Sequence, residues 1–163
     1  CALPIFNSIV MNKCISNDIN TVCWQGKADG YLEILDQTKL PTQITHIVCK
    51  DVPAVIESIK SLRVRGAPAI GIAGAYGMVL AVQSATLIKD SWEKKLAYIR
   101  QRAEDLATAR PTAVNLRWAI QRIECLILSA GEDPDFSKVL NDVLDEARRI
   151  QEEDQQLCKK IGE

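Results

Sequence analysis

The stretch "VRGAPAIGIAGAYG", residues 64–77, places an arginine ahead of four of the chain's eight glycines and four alanines. Arg65 supplies a permanent cation whose planar fork matches the oxygens of a phosphate. Gly66 gives the backbone freedom at a turn, and Pro68 suits the first turn of a following helix, where a missing N–H costs nothing. The amides around Gly66, Ala67 and Ala69 then lie at a helix N-terminus, where they lack intrahelical partners and favour an anion. Beyond them, Gly71, Ala73, Gly74, Ala75 and Gly77 keep the helix surface shallow enough for another backbone to approach closely. Tight packing alone would also explain so many small residues, and an arginine before a helix is often merely solvated. The stretch is not a Walker loop, since GxxxxGK[ST] is missing, and no parallel βαβ unit surrounds it to make a dinucleotide fingerprint.

A second corner has the same ingredients. In "ARPTAVNL" (109–116), Pro111 closes one helix and Thr112 is expected to cap the next, which leaves Arg110 beside a second helix N-terminus. Taken alone it reads as a capping and packing device. With Arg65 it makes a two-arginine clamp for one phosphorylated ligand, provided that the two corners meet in space.

Other candidates are weaker. The single histidine, His46, sits in an alternating strand and reads as structural or exposed. One histidine must serve every triad or dyad, so no such arrangement can be assembled. Trp24 and Trp118 read as packing residues, and "DEARRIQEEDQ" as the solvated face of a helix. The six cysteines show no CxxC pair and no grouping with His46, which argues against a metal and for reduced thiols.

These residues need elements to hold them. "NTVCWQ" (20–25) and "YLEILD" (31–36) flank "GKADG" as a hairpin, and "QITHIVC" (43–49) follows a loop marked by Pro41. Together they predict a small, antiparallel sheet over 20–50. Helical spacing then fills 51–163. "DVPAVIESIKSL" (51–62) carries Val52, Val55, Ile56, Ile59 and Leu62 on one face, and the glycine-rich helix runs from about Pro68 into the 80s. A third helix (90–109) is expected to start on a capping pair, Asp90 and Glu93, and to bury Trp92, Leu96, Ile99, Ala103 and Leu106. A fourth (113–129) presents Leu116, Ala119, Ile120, Ile123 and Ile127. The last carries Phe136, Val139, Leu140, Val143, Ala147, Ile150, Leu157 and Ile161. Sheet first and helices after describe an α+β fold, a small antiparallel sheet followed by a helical bundle.

The totals exclude some partners. Twenty basic and twenty-one acidic residues leave a net charge of -1, which offers nothing to nucleic acid or an anionic membrane. The longest apolar run, Ala67–Ala85, is interrupted by glycines, a glutamine and a tyrosine, so no bilayer span is expected. Residues 1–19 read as a disordered or artefactual leader, 1–10 as translated adapter sequence and Met11 as the expected start; the helical run at the other end reads as a fragment.

Three stretches, "LDQTKLP" (35–41), "VRGAPAIGIAGAYG" (64–77) and "RPTAVNL" (110–116), in this order and spacing, resemble the amino-terminal part of the S-methyl-5-thioribose-1-phosphate isomerase family. That family shares a superfamily with the regulatory subunits of translation initiation factor 2B, and the resemblance runs from about Val22 to Glu163. It implies an aldose–ketose isomerase of methionine salvage, converting 5-methylthioribose 1-phosphate to 5-methylthioribulose 1-phosphate without metal or cofactor. It carries substrate binding onto Arg65, Gly66, Ala67 and Arg110. The family's catalytic cysteine and aspartate belong to a Rossmann-like carboxy-terminal domain beyond residue 163, so no catalytic residue is assigned here, Cys158 included. On this reading the piece alone is inactive, and the full-length parent is a cytoplasmic homodimer, with a nuclear pool if eukaryotic. Two alternatives remain: a ribose-1,5-bisphosphate isomerase-like enzyme, and a non-enzymatic regulatory subunit like those of the translation factor.

Overall fold

The structure, a computed structural model, describes residues 20–162. The leader expected over 1–19 lies outside the described residues.

Three strands come first: β1 (Val22–Gln25), β2 (Tyr31–Leu35) and β3 (His46–Cys49), in the order β1-β2-β3 and antiparallel throughout. Trp24 pairs with Leu32 across β1 and β2, and Leu32 with Cys49 across β2 and β3. Alternation sends Val22, Trp24, Leu32, Ile34 and Cys49 to the buried face. The β1–β2 connection turns at Gly26, whose φ of +92° suits a residue without a Cβ. His46 is exposed, as expected.

Five helices follow: α1 (Val52–Lys60), α2 (Ala67–Ala85), α3 (Trp92–Ala107), α4 (Val114–Ser129) and α5 (Phe136–Gly162). A sheet followed by a bundle is the α+β order that the sequence predicts. Every apolar residue expected on the inner face of α4 is buried. α2 is apolar all round, as a helix must be that has no solvent side, and it touches β1, β2 and all four other helices. The glycines do not interrupt it: its 19 residues, of mean hydropathy 1.3, are long and apolar enough to cross a membrane, and here they are mostly buried inside the bundle. Trp24 stacks on Tyr76 of α2 at 5.5 Å between ring centroids.

Several local expectations need correction. α1 ends at Lys60, and Leu62 stands outside it, exposed, with φ +59°. α3 takes Ser91 as its N-cap instead of an Asp90–Glu93 pair; Asp90 instead accepts from the Ser91 amide at 2.8 Å and from Lys94 Nζ at 2.7 Å. Trp92 and Leu96 are only half-buried. Trp118 is 48% exposed, with the Arg122 guanidinium over its ring at 5.3 Å, and so is not a core residue. On α5, Leu157 (59%) and Ile161 (81%) face solvent, because the helix runs on past its neighbours.

Candidate functional site

The geometry is set by the close approach of α2 and α4. A Cβ on Gly71 would lie 3.0 Å from the Asn115 carbonyl oxygen, and one on Gly74 would lie 2.4 Å from Leu116 Cδ1 and 3.8 Å from Ile120 Cγ1. The contacts advance the same way along both helices, so their N-termini lie at one end of the bundle. Gly66 stands five residues before Gly71, and Arg110 five residues before Asn115. Small residues on α2 therefore bring the two arginine-bearing corners to the same end.

Each corner ends in an uncapped helix. Gly66 is the N-cap of α2, with φ +91° and ψ 135°, a conformation nearly closed to residues bearing a Cβ. No side chain caps α2, and among the described residues the amides of Ala67 and Ala69 find no partner. Arg65, Gly66 and Ala67 are all exposed. Arg65 Nε donates to the Leu62 carbonyl at 3.1 Å, and its terminal nitrogens pair with no carboxylate among the described residues.

At the other corner Thr112 does not cap α4. The Ala113 amide donates to the Arg110 carbonyl at 2.9 Å, which winds 110–113 into a turn and moves the N-cap to Ala113, whose side chain has no acceptor. Among the described residues the amides of Val114 and Asn115 are thus left without partners, and the half-buried Arg110 has no ion pair. The missing cap deepens the resemblance between the corners: among the described residues each has free amides and an arginine without a counter-ion, an arrangement suited to an anion.

Sequence reasoning missed two ion-pair networks. Asp36, buried at 1% exposure, accepts from Arg63 Nη1 at 2.8 Å, and Arg63 Nε reaches Glu57 at 3.1 Å. The Thr38 hydroxyl, followed by the Thr38 amide and Arg63, holds the Asp36 carboxyl below its ordinary value. On the far side, Arg122 of α4 reaches Glu146 and, with two nitrogens at 2.6 and 2.8 Å, Glu153 of α5. Partners 27 and 31 residues apart leave no local signal to find. Among the described residues no cluster of His, Cys, Asp and Glu could hold a metal ion.

The chain matches the model of the initiation factor 2 subunit family over residues 63–163. It is 38% identical over 146 residues to the 5-deoxyribose 1-phosphate isomerase of Clostridium botulinum (strain Okra / Type B1), covering 90% of this chain and 41% of that protein. With the protein of the same name from Moorella thermoacetica the identity is 42%, over 89% of this chain and 40% of that one. Two solved structures superpose with a TM-score of 0.72 over 82% of this chain. One is 5-methylthioribose 1-phosphate isomerase from Pyrococcus horikoshii OT3, at 34% identity over 36% of that chain; the other is translation initiation factor eIF-2B subunit delta from A. fulgidus, at 36% identity over 37% of that chain. The chain thus spans about two fifths of the curated relatives it matches, and the remainder of those proteins has no counterpart in it. Motifs, sheet-then-bundle order and the match over 63–163 agree: the chain belongs to the initiation factor 2 subunit family.

Proposed function

We propose that this chain is the amino-terminal part of an aldose–ketose isomerase acting on a pentose 1-phosphate, and that it supplies part of the grip on phosphate and sugar. The observation that carries this reading is the pair of uncapped helix N-termini at one end of the bundle, beside Arg65 and Arg110. A phosphate on C1 blocks opening of the sugar to a free aldehyde. Isomerisation therefore needs the phosphate held still while hydrogen moves between C1 and C2 in a shielded site. Arg65 and the amides of Ala67 and Ala69 would take phosphate oxygens, with Gly66 keeping the approach open, and Arg110 would close the other side. The names of the relatives support a substrate altered at C5, and 5-methylthioribose 1-phosphate is our choice among such sugars. The parent would then be a cytoplasmic homodimer in methionine salvage, with its catalytic groups outside this chain.

Calorimetry of the full-length parent with 5-methylthioribose 1-phosphate, 5-deoxyribose 1-phosphate and ribose 1,5-bisphosphate tests the reading. We expect the first to bind best, and Arg65→Ala and Arg110→Ala each to weaken it about tenfold or more, as loss of a charge-assisted contact should. Unchanged affinity in both variants would dismiss the clamp. A second reading, a regulatory subunit without chemistry, is favoured by the match to the initiation-factor subunit; it predicts no binding of any of the three sugars.

A further inference from the structure

The loop that carries Arg65 is anchored from a distant part of the chain. Arg63 is held at its backbone and at its side chain. Its amide donates to the Ser58 carbonyl at 3.0 Å, and its own carbonyl accepts from the Gln37 amide at 2.9 Å. Its Nη1 donates to Asp36 Oδ2 at 2.8 Å, and its Nε lies 3.1 Å from both Glu57 oxygens. Asp36 is fixed in turn, because its amide donates to the Thr45 carbonyl at 2.8 Å. Two residues beyond Arg63, Arg65 spends only Nε among the described residues, on Leu62.

We propose that Asp36, acting through Arg63, is a positioning residue for the sugar-phosphate site, an inference that rests on the reading of Arg65 given above. The two carboxylate oxygens have separate tasks. Oδ1 caps the short helix 37–39, accepting from the Thr38 amide at 3.1 Å and the Thr38 hydroxyl at 2.5 Å. Capping needs only one oxygen, and asparagine would serve as well. Oδ2 is spent on Arg63; with asparagine's single acceptor oxygen kept on Thr38, which offers it both an amide and a hydroxyl, the NH2 group would oppose Arg63 with another donor. Without that anchor, the stretch between Leu62, at φ +59°, and Gly66, at φ +91°, is tied by the exposed Glu57 arm and by backbone bonds. Arg65 would then lose its fixed station beside the α2 amides.

Asp36→Asn separates the tasks, since it keeps the cap and removes the anchor. Hydrogen exchange of the unliganded chain is the first readout. We expect the Arg63 and Val64 amides to exchange about tenfold faster or more, while α4 and α5 keep their protection. Calorimetry of the full-length parent with ribose 1-phosphate and with inorganic phosphate is the second; affinity should fall about tenfold in Asp36→Asn and stay within about twofold in Glu57→Gln, which loses only the exposed arm. Unchanged exchange at 63–64, or equally faster exchange throughout the bundle, would overturn the proposal. So would unchanged affinity in Asp36→Asn where Arg65→Ala abolishes binding. If the unsubstituted full-length parent binds neither probe, the site reading fails and the positioning role falls with it, even if the exchange result shows that Asp36 holds the loop.

Discussion

Alanine substitution of the α2 glycines should run against helix propensity, and Gly71 is the sharpest case. Inside a helix, glycine to alanine favours folding by about 1 kcal/mol. At Gly71 the new methyl would lie 3.0 Å from the Asn115 carbonyl oxygen and 3.3 Å from that residue's carbonyl carbon and Cβ. Those atoms belong mainly to the α4 backbone and cannot rotate aside, so α4 must shift by a few tenths of an ångström. Overpacking of this kind costs about 1–3 kcal/mol. The balance is a net loss of about 1 kcal/mol, or about 2–4 °C in Tm for a chain of this size. Gly77→Ala meets the flexible Leu106 methyls at 2.9 and 3.1 Å and should be closer to neutral. Differential scanning calorimetry of Gly71→Ala, Gly71→Val and Gly77→Ala gives the comparison, with valine the worst. Because the shift falls on the first turn of α4, Gly71→Ala should also weaken sugar-phosphate binding more than Gly77→Ala does. A Tm for Gly71→Ala raised by the full propensity gain would refute the reasoning, since α4 would then not be seated on that glycine.

Other perturbations separate packing from backbone conformation. Gly66→Ala has open space for its methyl but a φ of +91°, so it should lose about 1–3 kcal/mol through strain, read as a lower urea midpoint at unchanged m. Tyr76→Phe keeps the stack on Trp24 but removes the 2.6 Å hydrogen bond to Gln151, and chemical denaturation should register about 1 kcal/mol. Arg122→Ala leaves buried Glu146 with Arg149 alone and releases Glu153; we expect a loss of about 1–3 kcal/mol, and near-additivity with Gly71→Val would show that the first turn and the middle of α4 are independent. Asp36, Asp90, Glu93 and Glu153 are held below their ordinary values of 3.8 and 4.5 by hydrogen bonds and cations. Carboxyls lowered in the folded state add stability above their unfolded pKa and lose it as pH falls through the folded one. Tm should therefore drop progressively below about pH 4.5, with Glu124, raised by burial, opposing only weakly. A Tm flat from pH 5 to 3 would contradict that assignment.

Where one element decides its own fate, the sequence is a sufficient guide. The inner face of α4 follows from helical period alone, and the sheet from alternation and two turn glycines. The glycine-rich stretch reveals both the turn at Gly66 and the close approach at Gly71, because each needs a missing Cβ for a local reason. Capping was harder to read. Thr112 has the right chemistry one residue too early, since the turn closed by Arg110 and Ala113 moves the helix start. Trp118 looks apolar by composition, yet it is 48% exposed, beneath the Arg122 guanidinium. Asp36 with Arg63 and Arg122 with Glu153 depend on distant chain segments meeting, and no spacing rule reports that.

The central position of α2 has a consequence for how the chain survives its own synthesis. From Gly66 to Ile88 there is no charged residue, and folding hides this run only when β1, β2, α1, α3, α4 and α5 have all arrived around it. Until α5 docks, a long uncharged helix is left partly naked, able to aggregate or to be taken for a membrane segment. The last helix therefore completes the shell around that run. Interrupting synthesis within α5 should send the product to the insoluble fraction with most of its secondary structure already formed.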